Sequence, residues 1–289
     1  MLNEISLRAF AKINLLLDIT ERLPNGYHAL HMIMQSVDLY DEVTLRRGDR
    51  GIECDDPAVP TDARNIAWKA ADAFARTTGV DCAETRILLK KHIPSAAGLA
   101  GGSADGAAVL AGLNTLYETH LPLEALCRIG ATVGADIPFC LTGGTRLALN
   151  IGDVLAPLPP LPDVTFVLAK PACSVSTKEA YAAFDNAHDI SHVHLPTLLF
   201  DAAKGDWERV FRRTCNTFEQ LIEVPERVPI KTAMRKNGSM FSMMSGSGPT
   251  VFGVFSTRGQ AEACAQELRT IVPDVFVCRS VPYGLQMHT

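Results

Sequence analysis

The fold turns on the stretch Ile93-Pro94-Ser95-Ala96-Ala97-Gly98-Leu99-Ala100-Gly101-Gly102-Ser103-Ala104-Asp105. Before it, Thr85 to Lys91 reads as a strand, and after it Gly106 to Tyr117, rich in Ala, Leu and Val, reads as a buried helix. The order is strand, glycine-rich loop, helix, with Gly98, Gly101 and Gly102 expected just before the helix starts. Glycine lets backbone approach a ligand closely and reaches positive φ cheaply. A helix N-terminus adds unpaired N–H groups and positive potential. Together these make a phosphate cradle. The plainer reading is a tight turn that binds nothing. Neither standard nucleotide signature fits. The last glycine is followed by Ser103 and Ala104 rather than by Lys and a hydroxyl residue. The spacing G-x-x-G-G also departs from the dinucleotide pattern G-x-G-x-x-G.

A chain of 289 residues holds about two domains, and 47% hydrophobic content is enough for an ordinary core. A net charge of −5 argues against a broad nucleic-acid footprint. No apolar run approaches the roughly 20 residues of a membrane span. The start Met1-Leu2-Asn3-Glu4 lacks the basic and apolar run of a leader, so a cytoplasmic location is expected. Eight cysteines stand singly, with no C-x-x-C pair, which argues against zinc and for reduced thiols. His188, His192 and His194 fall in a segment without helical or strand character and read as solvated rather than metal-binding.

Other segments carry two readings each. Ile5 to Ile19 reads as one or two strands broken near Ala9 to Lys12. Lys12, in the apolar run Ala11-Lys12-Ile13-Asn14, is either an edge lysine facing solvent or a cation aimed at an anionic ligand. Pro24-Asn25-Gly26 is a turn that leads to Tyr27-His28, either a plain surface pair or a pair that stacks on a flat ring and hydrogen-bonds it. Short strands are expected at Glu42–Arg46 and Gly51–Cys54. Helices are expected at Asn65–Thr78 and Leu123–Val133, the second ending in Gly134-Ala135-Asp136-Ile137-Pro138. On local pattern Asp136 is a cap or turn residue; the alternative is a partly buried carboxylate beside a lysine. After a strand at Thr145–Ile151, the run Ala156 to Asp163 holds four prolines in eight residues and reads as a stiff connector. It divides the chain into domains at 1–157 and 163–289. The second should contain a strand at Val164–Lys170 and helices at Ser176–Asp185, Leu195–Lys204, Asp206–Glu223 and Ile230–Asn237. Strands at Met240–Met244 and Val251–Phe255 flank the turn Ser245-Gly246-Ser247-Gly248-Pro249-Thr250. A helix at Gln260–Ile271 and a strand at Val275–Val281 complete a small α+β sandwich.

Three segments taken in order, Ala11–Asn14, Pro94–Asp105 and Ser245–Thr250, resemble the three motifs of the GHMP kinase superfamily (galactokinase, homoserine kinase, mevalonate kinase, phosphomevalonate kinase). Asn25-Gly26-Tyr27-His28 and Gly134–Pro138 resemble the branch that acts on 4-diphosphocytidyl-2-C-methyl-D-erythritol, and the likeness covers nearly the whole chain. The branch's loop usually reads Gly-Leu-Gly-Gly-Gly-Ser-Ser. Here Ala100 replaces the middle glycine and Ala104 the second serine, which leaves Ser103 as the hydroxyl there able to contact phosphate or Mg-ATP.

The resemblance implies an α+β fold, with an N-terminal ribosomal-protein-S5-like α/β domain and a ferredoxin-like C-terminal one. It implies a kinase using ATP and Mg2+ that phosphorylates the 2-hydroxyl of its small-molecule substrate, 4-diphosphocytidyl-2-C-methyl-D-erythritol, on the non-mevalonate route to isoprenoid precursors. It implies that Pro94 to Ala104 hold the ATP phosphates, that Asn65, Ile66 and Lys91 line the adenine pocket, and that Lys12 and Asp136 are catalytic. It further implies that Asn14, Tyr27 and His28 grip cytosine, with Tyr181 as a second stacking wall. A monomer or homodimer without nucleic-acid or membrane partners is expected. Rival readings are a homoserine- or mevalonate-type kinase, a non-catalytic sensor of ATP and a metabolite, and an RNA-binding protein.

Overall fold

The computed structural model describes residues 2–82 and 84–288. The chain begins with two long strands, β1 (Glu4–Arg22) and β2 (His28–Arg47), joined at residues 23–27 into one antiparallel hairpin. Then come β3 (Gly51–Cys54), α1 (Ile66–Thr78), β4 (Thr85–Lys90), α2 (Gly101–Leu116), α3 (Leu123–Ala131), α4 (Ile137–Thr142), β5 (Thr145–Leu149) and β6 (Val154–Pro157). The second half holds β7 (Thr165–Lys170), α5 (Thr177–Asp185), α6 (Leu195–Ala203), α7 (Trp207–Arg213), α8 (Thr217–Leu221), α9 (Arg227–Lys236), β8 (Phe241–Met244), β9 (Val251–Phe255), α10 (Arg258–Leu268), β10 (Asp274–Arg279) and β11 (Leu285–His288).

The first sheet runs β11-β1-β2-β4-β3, with β5 and β6 branching from β2. Residues 9–18 of β1 are buried without interruption, because protein covers both faces of the strand. The amphipathic helix α1 joins β3 to β4, which pair in parallel, and packs on the Ala-rich helix α2. The second sheet is antiparallel in the order β10-β7-β9-β8. Counted among its own four strands this is 4-1-3-2 with a β-α-β-β-α-β connection, the ferredoxin-like arrangement expected. Val167 and Ala169 of β7 bury one face of that sheet against Ile230 and Met234 of α9 and Leu268 of α10.

Several expectations change. The break foreseen near Ala9–Lys12 is a register shift between Phe10 and Lys12 within an unbroken β1. Such a bulge re-aims a side chain without ending a strand. β2 begins at His28, well before the short strand expected at Glu42. The helix predicted over Asp206–Glu223 is two, α7 and α8, parted where Leu17 N donates to Cys215 O and the chain crosses β1. Part of the proline connector, Ala156 and Pro157, is paired in β6. The end of the chain, assigned by sequence to the second domain, returns as β11 to pair with β1 in the first sheet.

Candidate active site

A cavity of about 1150 Å³ opens where the two sheets' loops meet, and each motif singled out in the sequence lines part of it. The glycine loop forms one wall. α2 starts at Gly101, so Gly101 and Gly102 lie in its first turn and not ahead of it, and Gly106 lies well inside the helix. The N-cap is Ala100, at φ 59° and ψ 30°, with no side-chain cap. The first-turn N–H groups of this long helix therefore keep their hydrogen-bonding capacity and positive potential. A Cβ on Gly98 (φ 75°) would stand 2.2 Å from Ser245 O, so this glycine serves close packing of two loops. A Cβ on Gly101 would meet Ile93 Cγ2 at 3.0 Å. Its missing side chain faces the protein interior rather than a ligand.

Lys12 sits where the three motifs meet. It is 5% exposed, which removes the solvent-facing reading. Its backbone N donates to Leu99 O (3.1 Å), and its Nζ donates to Asn14 Oδ1 (2.7 Å) and lies 3.6 Å from Asp136 Oδ2. Lys12 and Asn14 share a strand face because side chains alternate. Asn14 N in turn donates to Ser245 Oγ (3.2 Å), and that hydroxyl donates to Gly98 O (3.0 Å). Asp136 occupies the N-cap position of α4 yet makes no side-chain cap bond. Its carboxylate, 31% exposed, faces Lys12 and the cavity instead. Asn14, expected on cytosine, is fully buried and spends its amide on Lys12 and Met32 Sδ.

Beneath the glycine loop lies a buried ionic triad. Lys91 Nζ pairs with Asp41 Oδ2 and Asp105 Oδ2. Asp41 Oδ1 also accepts from the backbone N of His92 (2.6 Å) and Ile93 (2.8 Å), anchoring the entry to the loop. Burial pushes the Asp105 carboxyl up to about 7 against the pull of Lys91, with Asp41 adding to the rise. Burial alone would lower Lys91, but the two carboxylates outweigh it and raise the ammonium's pKa. Lys91, expected at adenine, is thus committed to two carboxylates although it borders the cavity. Asn65 is likewise engaged: it caps α1 through Ala67 N (2.8 Å) and donates to Pro60 O (2.6 Å).

The hairpin tip supplies the opposite chemistry. Tyr27 is 60% exposed and free to stack, whereas His28 is buried and its ring lies flat on Tyr181 of α5, with centroids 4.5 Å apart at 18°. The edge of Tyr181 meets Phe218 at 5.1 Å. Burial pushes the Tyr181 hydroxyl up to about 12, and the nearby Asp136 charge adds to the rise. Asp41 and Asp185 carry no local sequence signal. Asp105 did carry one, a carboxylate within an Ala- and Gly-rich buried turn. Asn216 was also missed: its amide donates to Met244 O and Gly246 O and holds the third motif in place. The three loop histidines do not converge, since His192 bonds Asp18 and His194 bonds Thr197. All eight cysteines are unpaired.

Comparison with known proteins agrees with this fold. Residues 65–144 match the family described as "GHMP kinases N terminal domain" and residues 200–274 match "GHMP kinases C terminal". A 4-diphosphocytidyl-2-C-methyl-D-erythritol kinase of Clostridium botulinum is 39% identical over 281 residues, covering 96% of this chain and all of that protein. The crystal structure of a 4-(cytidine 5'-diphospho)-2C-methyl-D-erythritol kinase superimposes with TM-score 0.78 at 31% identity, covering 95% of this chain and 98% of that one. A homoserine kinase of Cytophaga hutchinsonii shares the fold, with TM-score 0.77 at 21% identity over all of this chain and 98% of that one.

Proposed function

The chain belongs to the GHMP kinase family, and from that premise we propose that it transfers the γ-phosphoryl group of ATP to the 2-hydroxyl of 4-diphosphocytidyl-2-C-methyl-D-erythritol. The observation that carries the reading is the meeting of Lys12, Asp136 and the open first turn of α2 in one cavity that also holds Tyr27, His28 and Tyr181. Phosphoryl transfer demands positioning and charge compensation more than covalent chemistry by the protein. The loop from Pro94 to Ala104 holds the ATP phosphates on backbone N–H groups. Asp136 accepts or orients the proton of the acceptor hydroxyl. Lys12, held by Asn14, compensates the charge that gathers on the attacking oxygen and phosphoryl group. Tyr27 stacks on the cytosine, and His28 offers it hydrogen bonds.

Mg2+ on the ATP phosphates would offset their charge. Among the described residues no three His, Cys, Asp or Glu side chains cluster to hold a metal by themselves. The residues fit an ion that would be held mainly by phosphate oxygens, which the Ser103 hydroxyl, at the cavity wall near Gly134, could contact. No helix among the described residues is long and apolar enough to cross a membrane. We place the reaction in the cytoplasm, a reading supported by the unpaired thiols.

A coupled assay for ADP release, run with the diphosphocytidyl acceptor, homoserine and mevalonate in parallel, tests the proposal. Turnover only with the first is expected. Turnover with either of the others would assign a different acceptor, and binding without any turnover would make the chain a sensor.

A further inference from the structure

We propose that Asp185 is a positioning residue for nucleobase recognition: it holds His28 so that Nδ1 is presented as an acceptor, which selects an amino-bearing pyrimidine over its carbonyl counterpart. The inference rests on the proposed diphosphocytidyl acceptor, whose base carries an exocyclic amine. His28 Nε2 donates to Asp185 Oδ1 at 2.8 Å. A neutral imidazole has one N–H and one bare nitrogen, and a carboxylate only accepts. The pair therefore keeps the proton on Nε2 and leaves Nδ1 bare. Among the described residues this is the one hydrogen bond of the His28 ring, and the residue lines the cavity.

α5 makes the arrangement rigid. Tyr181 stacks on the imidazole, Phe184 meets it edge-on at 5.5 Å and 86°, and Asp185 accepts the hydrogen bond from its Nε2–H. Positions 181, 184 and 185 fall at i, i+3 and i+4 and so share one helix face. Arg22 Nη1 lies 3.4 Å from the second oxygen, Oδ2, which leaves Oδ1 to His28. A bare Nδ1 accepts from the 4-amino group of cytosine. Facing uracil it would oppose the lone pairs of a carbonyl, and one such mismatched polar contact is worth roughly tenfold to hundredfold in affinity.

Calorimetric titration of the full-length protein with CDP and with UDP tests this, alongside steady-state kinetics with ATP and the full acceptor. The wild type should prefer CDP by roughly tenfold to hundredfold. Asp185→Ala should bring the ratio close to one, with the kinetic loss falling on the acceptor KM more than on kcat or on the KM for ATP. Asp185→Asn, whose carbonyl still accepts from Nε2–H, should restore most of the preference. His28→Phe keeps the stack on Tyr181 without the nitrogen and should abolish the preference. A CDP preference that survives Asp185→Ala or His28→Phe overturns the proposal, as does a wild type without preference. Loss of the preference in the variants, found in a protein that does not turn over the diphosphocytidyl acceptor, would sink the proposed reaction and support the role of Asp185.

Discussion

At the scale of single residues, the proposed chemistry depends on Lys12 and Asp136, 3.6 Å apart and brought together from different elements. Asp136→Asn keeps the size and part of the hydrogen bonding but removes the charge. General-base assistance is typically worth 10²–10⁴-fold, so kcat should fall by about that much while both substrates still bind. Lys12→Met should also lower kcat, and the two losses should not add, because each group acts partly through the other. A double-mutant cycle on kcat/KM measures this; near-normal kcat in Asp136→Asn would show that the carboxylate has no part in the chemistry. Asp105 yields a prediction of a different kind. Its carboxyl is raised from an ordinary 3.8 to about 7, mainly by burial. The folded state then binds this proton more tightly than the unfolded chain does. The resulting stabilisation is fully present below pH about 4 and is lost as pH rises through about 7. Asp105→Asn mimics the neutral form and removes this dependence. The stability of the wild type relative to the variant, from urea unfolding, should be greater at pH 5 than at pH 8; equal differences at both would mean the carboxyl is not raised.

At the scale of elements, the glycine loop divides its glycines by task. Gly98→Ala would drive a methyl into the Ser245 carbonyl at 2.2 Å, against backbone that cannot swing aside. It should cost far more in Tm and in ATP affinity than Gly101→Ala, which meets side chains alone, Ile93 at 3.0 Å and Asp41 Oδ2 at 3.5 Å. Equal losses in melting and calorimetry would deny this division. Ala100 stands at φ 59°, where an L-residue with a Cβ is strained by roughly 1–2 kcal/mol. Ala100→Gly should relieve much of that strain, less the entropy glycine loses on folding, for a net gain of at most about 1 kcal/mol. A fall in Tm would count against strain at this cap. The strand-loop-helix order was legible from periodicity and glycine content. The helix start was not, because Gly101 and Gly102 read as loop residues, and the tight space beside Ile93 and Ile66 that leaves little room for a side chain there exists only in the fold.

At the scale of the whole molecule, β1 serves both halves. It carries Lys12 and Asn14, pairs with β2 and β11, and receives Asn216 and Thr217 from the second half through Leu17 and Ile19. Truncation after Gly284 removes β11 and leaves residues 6–9 of β1 without their partner strand. Tm should drop, and ATP turnover should weaken with it because Lys12 lies on the same strand; an unchanged melting curve would show that β11 is dispensable. Asn216→Ala strands two buried carbonyls, Met244 O and Gly246 O, each worth roughly 1–3 kcal/mol if left unpaired. It should loosen the third motif and lower both stability and ATP affinity.

The sequence by itself determined the strand, glycine loop and helix order, the α+β pattern of the second half and the three short motifs that resemble those of GHMP kinases. Each of these is written in local periodicity, glycine placement or short contiguous spacing, which a linear reading can see. Only the tertiary structure decided the rest. It chose between the two readings of Asp136, setting its carboxylate 3.6 Å from Lys12 rather than in a cap bond, and made Lys91, expected at adenine, the centre of a triad with Asp41 and Asp105. It also set His28 on Asp185 and returned the last strand to the first sheet. The last strand's return pairs residues far apart in sequence, which no local pattern encodes. The other three share one physical reason. A buried charge or polar group takes its character from the partner that compensates it, and here those partners lie far away along the chain and meet only when the sheets close.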